Sequence, residues 1–95
     1  MHPKHRTPTH PGKVLLEEFL KPLGVSQLDF AAHIGAPVQR VNEIVRGKRG
    51  VTPESAWLFV GALGTTPQFW LNLQTSHDLA ASRPARSVPR LRRTG

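Results

Sequence analysis

QLDFAAHIGAPVQRVNEIVR, residues Gln27 to Arg46, decides the fold. Ser26 stands just before it with Asp29 three residues on, a capping-box pattern that opens a helix by satisfying two orphan N–H groups. Gly35 supplies the left-handed stop, inexpensive only for glycine, and Pro37 opens a second helix that runs to Arg46 before Gly47. Ala31 is small where the two helices must abut, and Val41 is a branched plug that returns the second helix onto the first. Ile44 and Val45 extend that buried stripe.

A small residue, a glycine four positions later and a branched aliphatic six after that define a helix-turn-helix. A plain helical hairpin is the competing reading. With Val41, Ile44 and Val45 inward, helical geometry turns Gln39, Arg40, Asn42, Glu43 and Arg46 outward. Reading helices enter the major groove N-terminus first, which makes Val38, Gln39, Arg40 and Asn42 the candidate base readers. Gln39 suits adenine, and Arg40 suits guanine or a phosphate. Val38 is placed either to meet a thymine methyl or to half-bury against Val41. Gln27 stands at a helix N-terminus, where a phosphate is favoured. Arg46, Lys48 and Arg49 follow as a basic turn suited to phosphate anchoring, with a solvated loop and Arg46 capping its own helix as the alternative.

Outward from this unit the punctuation gives five short helices and no strand, an all-α chain. Pro11 opens the first helix, in which Leu15, Leu16, Phe19, Leu20 and Leu23 recur at helical spacing up to Gly24. Thr52-Pro53 opens the fourth helix, which ends at Gly64, and Thr66-Pro67 opens the fifth, which runs towards Ala80. Trp57 and Trp70 lie on apolar helical faces and read as core. Gly61, costly inside a helix, suggests the close approach of another helix. Phe69, Trp70 and Leu73 suit either a dimer contact or closure of the monomer core. Two-fold pairing is expected because one reading helix covers only a few base pairs.

The chain divides into a flexible arm at residues 1–9, a helix-turn-helix domain at residues 10–80 and a disordered Arg/Pro-rich tail at residues 81–95. The net charge of +7 describes the ends, because residues 11–80 hold six basic and six acidic side chains. Within that neutral middle, Arg40, Arg46, Lys48 and Arg49 cluster with only Glu43 among them, the local asymmetry a DNA-facing surface needs. The tail reads as a solvated end, an arm for DNA phosphates or the minor groove, or a contact for acidic protein or RNA.

The absence of cysteine excludes disulfides and a thiolate zinc site. The N-terminal residues lack the apolar run of a secretory signal, and no apolar run is long enough to span a bilayer, so a cytoplasmic, nucleoid-associated protein without membrane attachment is expected. His2 and His5 on the mobile arm, with His10 at its end, offer no preorganised geometry, so neither a metal nor another cofactor is expected. No nucleophile constellation or phosphate cradle points to an enzyme; Ser26 and Ser55 read as helix-start residues.

HPGKVLLEEFLKPLG at residues 10–24, VNEIVRGKRGVT at 41–52 and ALGTTPQFWLNLQ at 62–74 together resemble the HigA-type antitoxins. These are a compact branch of the phage-repressor-like (XRE) helix-turn-helix proteins, and the resemblance covers His10 to Asp78. It implies a type II antitoxin that neutralises a small HigB/RelE-like mRNA-cleaving toxin. It also implies a homodimer that represses its own operon at an inverted repeat in double-stranded operator DNA. A solitary or phage-type regulator without a toxin is the alternative. The run Trp57-Leu58-Phe59-Val60-Gly61 is more apolar than the family's usual pattern and offers a partner-binding patch, while the arginine tail lies outside the shared pattern.

Overall fold

Five helices follow one another, each boundary set by a glycine, a proline or a side-chain cap. The computed structural model describes residues 8–92. Helix α1 covers residues 11–23 and is α-helical at Pro11–Val14, π-helical at Leu15–Leu20 and α-helical again at Lys21–Leu23. It is followed by α2 (Gln27–Ile34), α3 (Val38–Val45), α4 (Pro53–Leu63) and α5 (Pro67–Ala81). No strand occurs among the described residues, so the fold is all-α as expected. Most of the arm expected at residues 1–9, with His2 and His5, lies outside the described residues.

Helix α1 departs from the plain helix its spacing predicts. Pro11 does occupy the first position, behind His10, whose Nδ1 accepts the Gly12 N–H at 2.9 Å. The turn then widens to i→i+5 bonding, and the Lys21 N–H reaches the Leu16 carbonyl. Leu15 and Leu20, five residues apart, therefore share the buried face, while Leu23 is left exposed.

The core is centred on Trp70 and Phe59, with Leu15, Leu20, Val41 and Ile44 also fully buried. Phe59 meets Trp70 edge to face at a centroid distance of 5.1 Å, and Phe30 and Phe19 close on this pair. The indole Nε1–H of Trp70 donates to Thr65 Oγ1 at 2.6 Å, so its one polar atom is satisfied inside the core. Full burial places Trp70 in the monomer core, which removes it from the dimer contact that was open to it; Phe69 beside it stays exposed.

Three expectations are corrected. Trp57 is not core: it is 65% exposed. Helix α4 is apolar nearly all round, so periodicity does not choose its inward face. Packing chooses Ser55, Ala56 and Phe59, and a residue two positions from Phe59 is rotated by roughly 200°. Gly61 shares that outward face, and a Cβ there would meet nothing within 4 Å, so no other helix among the described residues approaches it. Finally, Ser26 Oγ does accept the Asp29 N–H at 3.0 Å, but the return bond from the Ser26 N–H to the Asp29 carboxylate is missing. The complete box is at α4, where Thr52 and Ser55 each accept the other's backbone N–H.

Among the described residues no helix is long and apolar enough to cross a membrane. Beyond α5, residues 82–92 form no helix or strand and are exposed throughout.

Candidate nucleic-acid interface

The α2–α3 junction is built as its sequence dictates. Ala31 is buried against the second helix, and Val41 and Ile44 fill the space behind it. Gly35 turns at φ +73°, and the Ala36 N–H then closes back on the Ala31 carbonyl at 3.0 Å. Pro37, extended at ψ 140°, starts α3 without a side-chain cap.

A second joint fixes α3 from behind, and the sequence reading missed it. At Gly12 a Cβ would stand 1.7 Å from the Ile44 carbonyl oxygen and 2.9 Å from Val45 Cα. Only a bare backbone lets α1 come this close to the end of α3. The signal in the sequence was a glycine just after the first-turn proline. Such a residue ordinarily reads as a weak helix start.

With both joints in place, α3 shows Val38 and Gln39 to solvent, and Arg40 half-exposed beside them. Arg40 leans towards the start of α4, with Nη1 3.6 Å from Glu54 Oε1, an exposed pair that holds it weakly. Asn42 is half-buried and donates from Nδ2 to Gln27 Oε1 at 3.1 Å. The two amides thus join the start of α2 to the middle of α3.

Arg46, Lys48 and Arg49 are all exposed around Gly47, itself left-handed at φ +75°. Arg46 ends α3 through its backbone, with its N–H on the Asn42 carbonyl; its side chain makes no capping bond among the described residues. Arg49 is held by Glu43, Nε to Oε1 at 2.9 Å. Neither Glu43 nor Glu54 was legible as a partner, since each pairing crosses a turn whose path sequence spacing does not define. Gln39, Arg40, Glu43 and Arg49 line one depression with Pro37, so the outward face of α3 and the basic turn are continuous.

The turn is braced from α5. Gln74 Oε1 accepts the Val51 N–H at 2.7 Å, and Gln74 Nε2 donates to Asp78 Oδ1 at 2.9 Å. His77 meets His10 edge to face at 4.9 Å, and the His10 ring lies next to Gly47. Burial holds the His10 imidazole below the usual histidine pKa and His77 adds to this, against a smaller opposing pull from Asp78. No group of three or more metal-ligating side chains occurs among the described residues.

Residues 16–70 match the helix-turn-helix family HTH_3. The chain is 46% identical over 70 residues to virulence-associated protein I of Dichelobacter nodosus, an alignment covering 74% of this chain and 65% of that protein's length. It is 35% identical over 83 residues to antitoxin HigA-1 of Vibrio cholerae, covering 87% of this chain and 78% of the relative.

The chain belongs to the XRE-type helix-turn-helix family, among the HigA antitoxins. The antitoxin GraA in complex with its operator superposes on this HigA-family chain with a TM-score of 0.83 at 37% identity, covering 98% of this chain and all of that one. Other relatives are named as helix-turn-helix transcriptional regulators, among them proteins of Escherichia coli. The family is one of regulators and antitoxins rather than a class of enzymes.

Proposed function

We infer that this HigA-family chain is a DNA-binding repressor and antitoxin without enzymatic activity or cofactor, working in the cytoplasm at the nucleoid. Residues 10–80 form the reading domain, between the arm at residues 1–9 and the tail at residues 81–95. The chain binds an inverted-repeat operator as a homodimer, one α3 per half-site about a DNA turn apart. It represses its own operon and neutralises a HigB/RelE-like mRNA-cleaving toxin.

The observation that carries this reading is the face of α3. Val38, Gln39, Arg40 and Asn42 stand at or near the surface on its N-terminal half, next to an exposed Arg46-Lys48-Arg49 turn, in a fold that matches an operator-bound antitoxin over nearly its whole length. In this reading Val38, Gln39 and Arg40 choose the sequence, Asn42 positions Gln27, and Gln27, Arg46, Lys48 and Arg49 hold phosphates.

Footprinting of the chain on the DNA upstream of its own gene tests the repressor. Two protected half-sites one turn apart are expected, and the absence of sequence-selective protection overturns it. Co-expression with the product of the adjacent gene tests the antitoxin, with rescue of growth as the expected result. The names of the E. coli relatives favour a second reading, a regulator with no toxin; operator binding without rescue selects it.

A further inference from the structure

We propose that the arginine tail, residues 82–92, is a second DNA-binding element that grips phosphates without regard to sequence, next to the surface formed by α3 and its basic turn. The proposal rests on the operator-binding reading and extends it.

The tail has the composition of a polyanion ligand and of nothing that packs. Arg83, Arg86, Arg90 and Arg92 fall within eleven residues with no acid among them. All eleven are exposed, and no ion pair to any of these arginines occurs among the described residues. Pro84 and Pro89 fix φ and remove backbone donors, which favours an extended path over a helix folding back on α5.

Placement makes DNA the fitting polyanion. Helix α5 is tied to the end of the basic turn by the Val51 N–H on Gln74 Oε1, and again by His77 against His10 beside Gly47. Ala81 ends the helix seven residues past Gln74, about 10 Å further along its axis. From there eleven extended residues reach roughly 36 Å, about one turn of duplex. The tail therefore starts about 10 Å beyond the point where Gln74 meets Gly50 and Val51 at the end of the basic turn, and is long enough to reach the backbone of DNA held by Lys48 and Arg49. The charge distribution makes this contribution large: residues 11–80 are formally neutral, so the described tail alone adds four positive charges. Guanidinium groups also suit phosphate and the narrow minor groove better than ammonium groups do.

The test compares the full-length chain with a full-length variant carrying R83Q, R86Q, R90Q and R92Q. Each is titrated onto its operator duplex and onto a scrambled duplex of equal length between 50 and 200 mM salt. At about 0.9 in the log–log salt slope per neutralised phosphate, two to four contacts per bound dimer make the full-length chain lose roughly 10- to 150-fold more affinity than the variant over that range. At low salt the variant should bind both duplexes more weakly by the same factor, leaving their ratio unchanged. Identical salt slopes for the two proteins overturn the proposal, as does a changed operator-to-scrambled ratio, which would mean that the tail reads bases. A tail effect on double-stranded RNA as large as that on DNA overturns the assignment to DNA. Failure of the unmodified chain to prefer its operator is a different result and refutes the repressor reading itself.

Discussion

Asn42 Nδ2 donates to Gln27 Oε1 at 3.1 Å, fifteen residues apart in the chain. Two residues that look like independent DNA contacts are thus one unit. The bond holds Gln27 at the start of α2, where a phosphate is favoured, and uses one Asn42 donor that would otherwise be available to a base. Asn42→Ala should therefore weaken operator and scrambled duplexes together, by about 1 kcal/mol, the usual worth of one hydrogen bond. Titration of both duplexes checks this. A loss confined to the operator would make Asn42 a direct reader.

In the proposed docking, Gln39 serves sequence choice and Lys48 serves grip. Gln39→Ala should cost about 1–3 kcal/mol on the operator and relax preference at one base pair per half-site. Lys48→Ala should weaken all duplexes alike and lower the salt slope by about 0.9 for each bound subunit. Binding to a panel of single-substitution operators at three salt concentrations distinguishes the two, and an exchange of the two phenotypes would refute the docking orientation.

Gly12 admits no side chain. The obstacle is the Ile44 backbone carbonyl, which cannot rotate aside as a side chain would. Gly12→Ala should lose stability by about 1–3 kcal/mol, the range for overpacking. It should also weaken operator binding, because α3 must shift. Thermal melts and operator titration of the same preparation check both, and an unchanged melting temperature would show that α1 has room to move.

Gly61 gives the opposite result. It sits within α4 with open space where a Cβ would go. Gly61→Ala should stabilise the chain by about 1 kcal/mol, the difference in helix propensity. Denaturant unfolding checks the sign. A loss would mean that something covers the outer face of α4 in solution.

His10 links stability to acidity. Its folded pKa lies below its ordinary value, so protons bind the unfolded chain more readily as pH falls through the histidine range. Protonation also removes the Nδ1 acceptor that caps α1. The contribution is present above the unfolded pKa and is lost as pH falls through the folded one. Melting temperature should drop between pH 7 and pH 5, and His10→Asn, which keeps a capping acceptor and cannot titrate, should flatten that dependence. An equal drop in the variant would place the titration elsewhere.

The legible features were those written in local chemistry. Glycine stops, Thr-Pro starts and the Ala31, Gly35 and Val41 junction each need one residue type at one place, and each stands where its chemistry put it. What sequence alone misjudged was set by tertiary packing. Helix α4 offers several apolar faces, and only its neighbours decide that Phe59 goes in and Trp57 out. The wide turn of α1 is likewise a response to burying Leu15 and Leu20 together. The outward α3 residues followed from periodicity, but the Glu43, Glu54 and Gln27 contacts that hold their side chains did not, because each spans separate elements.

The outward Trp57 also equips the chain with two optical probes in contrasting surroundings. There is no tyrosine, so near-ultraviolet emission comes from Trp57 and Trp70 alone. Trp70, fully buried, should emit at short wavelength and escape iodide quenching, and its signal should follow unfolding. Trp57, mostly in water, should emit at longer wavelength and be quenched readily. A protein docking on the outer face of α4 would shield the second signal and leave the first unchanged, so binding and unfolding can be followed separately in the native sequence without an added label.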